Sequence, residues 1–165
     1  MSYPAYMTIK GTRQDLITAG ASSKASVGNA YQEDHQDKIL VQAINHSIFV
    51  QGRGEYAARR HEPLIITKVI DKSTPLLNIA MCNSEALIQC RLEWYRTVGE
   101  GGMEHYFTTE LEGAVIVGIE VLMPHSQDAA SAQLTHLERI HIAYRKISWA
   151  HETARTLGME EWNQG

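Results

Sequence analysis

The stretch Leu137–Trp149, LERIHIAYRKISW, decides the fold. Ile140, Ile142 and Tyr144 fall on one face of an extended chain and Arg139, His141 and Arg145 on the other, the period-two pattern of a half-buried strand. After Lys146 the apolar positions move to Ile147 and Trp149. A parity change inside a continuous strand signal is what a β-bulge or a barrel corner produces, because one extra residue flips which face looks inward. The chain therefore bends around a core, which argues for a closed or strongly coiled sheet.

The segments around this one are also strand-like. Pro4–Lys10 sets Tyr6, Thr8 and Lys10 opposite Ala5, Met7 and Ile9, and Leu87–Thr97 sets Ile88, Cys90, Leu92 and Trp94 inward with Gln89, Arg91, Glu93 and Tyr95 outward. Gly99–Gly102 reads as a hairpin turn to Met103–Leu111, and Glu112-Gly113 as a second turn into Ala114–Met123, with Ile116 and Leu122 on the outer face. Ile39–Val50 is dense enough in β-branched residues for one long or two short strands. The polar run Gly11–Asp37 is read as a long ordered loop with a short strand near Leu16–Thr18, and Gln51–Arg60 as a basic exposed loop.

Pro63–Ile70, PLIITKVI, is apolar on both faces and predicts a strand covered on both sides. One helix follows it. Asp71–Thr74 supplies capping residues, Pro75 suits the first helical turn, and Leu76, Leu77, Ala80 and Met81 lie near helical spacing, with the exit at Ser84 and Glu85. Leu134–Glu152 closes the sheet, and the tail from Thr153 is free unless Trp162 docks. Together these elements predict a mainly β fold, read as a β-barrel or two packed sheets around one α-helix, as a single domain over residues 1–165. Ile65 and Val69 carry apolar side chains to the outward face of their strand, which predicts self-association.

Composition narrows the function classes. A net charge of -4 with 21% charged residues and no Lys/Arg-rich run argues against a nucleic-acid partner. No apolar run reaches the length of a membrane span, so no membrane role is expected. The opening MSYPAYMTIKG lacks the basic and apolar regions of a signal peptide, so folding in the cytoplasm is expected. With two cysteines, Cys82 and Cys90, no disulfide framework is expected, and Cys82 reads as a buried structural thiol.

Candidate chemistry is sparse. The histidines, His35, His46, His61, His105, His125, His136, His141 and His151, do not recur at ligand spacing; His136 and His141 point to opposite strand faces, so no metal site is expected. Glu110 and Glu112 share a strand face beside a turn, where such pairs form a solvated rim, and the Gly99–Gly102 run lacks the strand-loop-helix context of a phosphate loop. No catalytic residue and no cofactor site is assigned. Trp94 and Trp149 sit on the apolar faces of their strands and are read as core.

The segments YPAYMTIKG, HEPLIITKVIDKSTPLL, LEWYRT followed by EHYFTTEL, VLMPH and LERIHIAYRKISWAH together resemble the Hcp family (haemolysin-coregulated proteins), tube subunits of bacterial type VI secretion systems. The resemblance runs in order from Pro4 to Trp162; the Gln51–Arg60 loop departs from it, being shorter and more basic than the Gly/Pro-rich hairpin common in the family. It implies a two-sheet barrel with a helix at its side, hexameric rings stacking into a hollow tube, and no catalysed reaction. The implied partners are a spike protein at the tip, a contractile sheath outside and effector cargo in the lumen, with release that needs no signal peptide. Arg53, Glu55, Arg59 and Arg60 become candidates for ring-to-ring contacts, and Ile65 and Val69 for subunit contacts. The rival classes are a monomeric small-molecule binding barrel and a toxin effector.

Overall fold

The parity change at Tyr144-Arg145 is a corner between two sheets. In this computed structural model, which describes residues 3–54, 58–131 and 135–162, the strands are β1 (Ala5–Gly11), β2 (Asp15–Leu16), β3 (Ile39–Val41), β4 (Ala43–Asn45), β5 (Ile48–Gln51), β6 (Ala58–His61) and β7 (Leu64–Val69), then β8 (Leu87–Thr97), β9 (Met103–Glu112), β10 (Val115–Leu122), β11 (Leu137–Ala143), β12 (Lys146–His151) and β13 (Thr156–Glu161). The helices are a single turn, α1 (Lys24–Val27), and α2 (Thr74–Cys82). The larger antiparallel sheet runs β13-β12-β9-β8-β1-β2, with β3 also paired to β1; the smaller runs β10-β11-β7-β4, and β5-β6 is a separate hairpin.

At three places the chain leaves one sheet and enters the other within one or two residues: β3 to β4 through Gln42, β9 to β10 through Gly113-Ala114, and β11 to β12 through Tyr144-Arg145. The turn read from Glu112-Gly113 is therefore a corner and not a hairpin, since β9 pairs with β8 and β12 while β10 pairs with β11. Two corners touch, the Arg145 N–H donating to the Glu112 carbonyl at 3.0 Å. The outcome is a barrel of two antiparallel sheets stitched by corners instead of closed by one continuous ladder, with α2 at its side.

Between the sheets lies one apolar cluster. Met7 and Ile9 of β1, Cys90 and Leu92 of β8, Leu111 of β9 and Ile147 of β12 face Leu64 and Ile66 of β7 and Ile140 and Ile142 of β11, all nearly inaccessible to solvent. Each such aliphatic side chain contributes on the order of 1.5–3 kcal/mol by leaving water. Trp94 and Trp149 pack on the cluster's margin.

Two bulges move residues from their expected faces. A register shift at Lys10/Gly11 sets Gly11 opposite Leu87 and Lys10 opposite Gln89, so Leu87 turns inward and Ile88 is left 62% exposed. A second shift between Ile116 and Gly118 buries Ile116 and exposes Val117. An extra residue on one strand of a pair does this to the alternation.

The helix begins as its sequence dictates. Ser73 is the N-cap residue and Pro75 lies in the first turn; Asp71 accepts from the Ser73 N–H at 2.8 Å, and Leu77 and Ala80 are buried. Cys82, the last helical residue, is exposed, contrary to the buried position expected of it, because it ends α2 beyond the buried face; Cys90 is the buried thiol. The segment read as a loop over Gly11–Asp37 contains β2, α1 and short 3₁₀ turns. Glu85 pins its start, accepting from the N–H groups of Arg13 at 3.0 Å and Gln14 at 2.9 Å.

One inward position of β7 is not apolar. Lys68 is fully buried and ion-pairs with Glu138 of β11 and, at 3.1 Å, with Asp71; the Thr74 hydroxyl donates to Glu138 at 2.7 Å. A buried charge persists only when paired and hydrogen-bonded in this way.

Candidate functional site

Exposed apolar residues gather on the outer strands and their surroundings. The smaller sheet ends at β10, where Val117 and Val121 are exposed, followed by Met123; the larger ends at β13, where Leu157 and Met159 are exposed. Open strand edges with apolar side chains invite another chain. On β7, Ile65 and Val69 lie with Thr67 on the outer face of the smaller sheet, half-buried, while Leu64, Ile66 and Lys68 face in. Beside them on β11, Arg139 is exposed and His141 half-buried, both directed to Glu120 of β10 at 3.8 and 2.8 Å. This sheet face is one surface that combines apolar and charged groups. Arg145 does not share it, because it sits at the corner and pairs with Glu161 of β13 at 3.6 Å.

The basic segment is a hairpin and not a loop throughout. Arg53 stands exposed in the bend after β5, whereas Arg59 and Arg60 are strand residues on β6, register-paired with Val50 and Phe49. Glu55 lies outside the described residues. Arg59 ion-pairs with Glu160 of β13 and donates to the Glu161 carbonyl at 3.3 Å, and Arg60 pairs with Glu62 at 3.4 Å. Arg53 and Arg60 thus remain on the surface, while Arg59 is tied to the chain's own last strand. The four residues of β5 are all exposed.

Where this hairpin meets the body, a polar chain runs through the corner. Tyr144 is buried; its Oη lies 2.8 Å from His46 Nε2 and 2.6 Å from His61 Nδ1, and His61 Nε2 lies 2.6 Å from Glu160 Oε2. The Trp162 ring stacks on His61 at 5.3 Å, and the Trp162 backbone N–H donates to the Arg145 carbonyl at 2.6 Å, so the tail docks as β13. Burial and the adjacent His61 hold His46 below the ordinary imidazole value, and burial followed by the Glu160 charge pushes the Tyr144 phenol up. Sequence reasoning missed this cluster, because its members come from four separate segments. The parity change at Tyr144 was the only local signal pointing to it.

Among the described residues, no three His, Cys, Asp or Glu side chains converge on a metal-sized site, and no helix is long and apolar enough to cross a membrane. What the surface does carry is exposed apolar side chains on β10 and β13 and a mixed apolar and charged face on the smaller sheet.

Comparison with known proteins places the fold in a family. Residues 6–151 match the family model described as type VI secretion system effector, Hcp. The major exported protein of Pseudomonas aeruginosa is 48% identical over 98% of this chain and 96% of its own length. Among solved structures, a crystal structure of Hcp protein superposes with a TM-score of 0.92 at 38% identity, covering 99% of this chain and 100% of that one. Secreted protein Hcp3 from Pseudomonas aeruginosa superposes with a TM-score of 0.86 at 45% identity over the same shares. With its barrel, its corners and nearly its whole length matched, this chain belongs to the Hcp family of the type VI secretion system.

Proposed function

We propose that this chain is the exported tube subunit of a type VI secretion system, one single-domain copy (residues 1–165) filling each position of a hexameric ring, with rings stacking into a hollow tube. The observation that carries the reading is the end-to-end likeness to Hcp proteins, joined to apolar side chains left uncovered on the outer strands β10 and β13. Heterologous contacts between unlike surfaces close into rings when the rotation permits and extend into filaments when it does not; a tube needs both kinds. Ile65 and Val69 supply the subunit contact, and Arg53 and Arg60, presented around the hairpin, the contact between rings, to which Glu55 is assigned from its place in the sequence alone. Arg59 contributes by fixing the hairpin to β13.

In this reading the protein waits in the cytoplasm and leaves through the secretion machine, driven out by a contractile sheath behind a spike, with effector cargo in the lumen. Its role is mechanical, and it catalyses no reaction. Electron microscopy and light scattering test it. Wild-type protein is expected to form six-fold rings, and Val69→Asp to remain folded by circular dichroism while forming no rings and losing export. A stable wild-type monomer across a wide concentration range, or export of Val69→Asp at the wild-type level, overturns the reading.

A further inference from the structure

The chain His46–Tyr144–His61–Glu160 joins four separate pieces of the protein: the link between β4 and β5, the β11–β12 corner, strand β6 and strand β13. Its hydrogen atoms can be counted. With both imidazoles neutral, His61 donates Nε2–H to Glu160, Tyr144 donates its O–H to His61 Nδ1, and His46 donates Nε2–H to the Tyr144 oxygen. Add one proton at His61 Nδ1 and the chain reverses once His46 shifts its own proton from Nε2 to Nδ1: His61 donates to Tyr144, which donates to His46 Nε2. Each of the three links then still has one donor and one acceptor. Add a second proton, on His46, and both imidazolium N–H groups point at one buried phenol, whose own hydrogen has lost its acceptor. A buried donor left unpaired costs about 1–3 kcal/mol, and two cations on one oxygen add repulsion.

We propose that this chain is an acid-sensitive mooring that holds the β5–β6 hairpin to the β11–β12 corner and to the side of β13, tolerating one added proton and releasing the hairpin on the second. The other charged groups facing it do not replace it. Arg59 lies against Glu160 and supports it as acceptor; the remaining neighbours, Arg60 with Glu62 and Arg145 with Glu161, are exposed pairs engaged with each other. The lowered proton affinity of His46, caused by burial and by His61, agrees with the second proton arriving only in acid. Among the described residues the hairpin's strands pair only with each other, so what ties it to the body is side-chain contact, this chain together with the Arg59–Glu160 pair. This goes beyond the assembly reading and concerns one chain. Its consequence for that reading is that ring-to-ring contacts borne by the hairpin weaken at low pH.

Hydrogen–deuterium exchange followed by mass spectrometry tests it, comparing protection at about pH 7.5 and about pH 5 after correction for the intrinsic rate. In the wild type, peptides covering residues 46–62 are expected to lose about tenfold in protection in acid while peptides of β1, β8 and β9 do not change. His46→Gln, whose amide can donate or accept but takes no proton, is expected to keep its protection at both values. Tyr144→Phe, which removes the bridging hydroxyl, is expected to show low protection of the hairpin at both. Equal acid loss in wild type and His46→Gln, no loss in wild type, or wild-type pH dependence in Tyr144→Phe would overturn the mooring. Ring formation, read separately by microscopy, bears on the assembly reading alone.

Discussion

Gly113 lies so close beneath Arg145 that a Cβ at position 113 would stand 2.9 Å from the Arg145 Cβ. Gly113 also has φ +62°, in the left-handed region that glycine enters without cost. Two sheet-to-sheet corners therefore meet at a point where any side chain would intrude. Gly113→Ala is expected to destabilise the fold by about 1–3 kcal/mol, read as a lower urea midpoint with an unchanged slope.

Lys68 faces two carboxylates in the interior, and Glu138 Oε2 has no partner of its own. Removing the cation alone strands buried negative charge, so Lys68→Met is expected to cost about 3–5 kcal/mol. Replacing both members, Lys68→Met with Glu138→Leu, should recover part of that loss. Urea unfolding of the two single variants and the double variant measures the coupling, and a double variant no more stable than Lys68→Met would contradict it.

Acid should weaken the fold through Glu85 and Glu93. Burial acts to raise both carboxyls, but the Gln14 and Arg13 N–H groups at Glu85, and Lys38 at 2.7 Å from Glu93, outweigh it and hold both below the ordinary 4.5. Because the folded-state values are depressed, their contribution is fully present above about 4.5 and is lost as pH falls through the lowered folded values. Melting temperature plotted from pH 6 down to 3 should fall less steeply in Glu85→Gln than in the wild type.

The two thiols should behave oppositely. Cys82 is exposed at the end of α2, whereas burial, with the Glu110 charge assisting, pushes the Cys90 thiol up to about 12. Iodoacetamide at neutral pH is expected to label Cys82 and spare Cys90 until denaturant is added, as peptide mass spectrometry would show. Modification of Cys90 in the native protein would contradict its placement in the core.

The hairpin arginines should separate in function. Arg60→Glu or Arg53→Glu is expected to shorten tubes while leaving rings intact, whereas Arg59→Ala should loosen β13 and raise exchange in residues 156–162. Negative-stain tube lengths and hydrogen exchange distinguish these effects. Identical phenotypes at Arg59 and Arg60 would contradict the division.

Much of this was legible in the sequence wherever alternation was unbroken. The parity change between Tyr144 and Ile147 located a corner, and PLIITKVI and Pro75 placed a strand and the helix after it. Faces failed at Ile88 and Ile116 because a bulge is set by the partner strand's register, which local periodicity does not carry. The inward Lys68 was hidden in a run apolar on both sides, and its partner Glu138 lies 70 positions away. The His61–Tyr144 contact spans 83 positions and links segments with no shared pattern. Arg59, grouped with its neighbours on charge, is distinguished only by the docking of β13, which requires the three-dimensional closure of the tail.

The three corners also determine how the subunit carries mechanical load. A sheet joined to its neighbour by hydrogen bonds alone can be unzipped one rung at a time. Here a force that shears one sheet along the other reaches Gln42, Gly113-Ala114 and Tyr144-Arg145, where the tie is the peptide chain itself. Against such shear the barrel behaves as a hoop with covalent spokes, which hold the two sheets in register when the hydrogen-bonded rungs would slip.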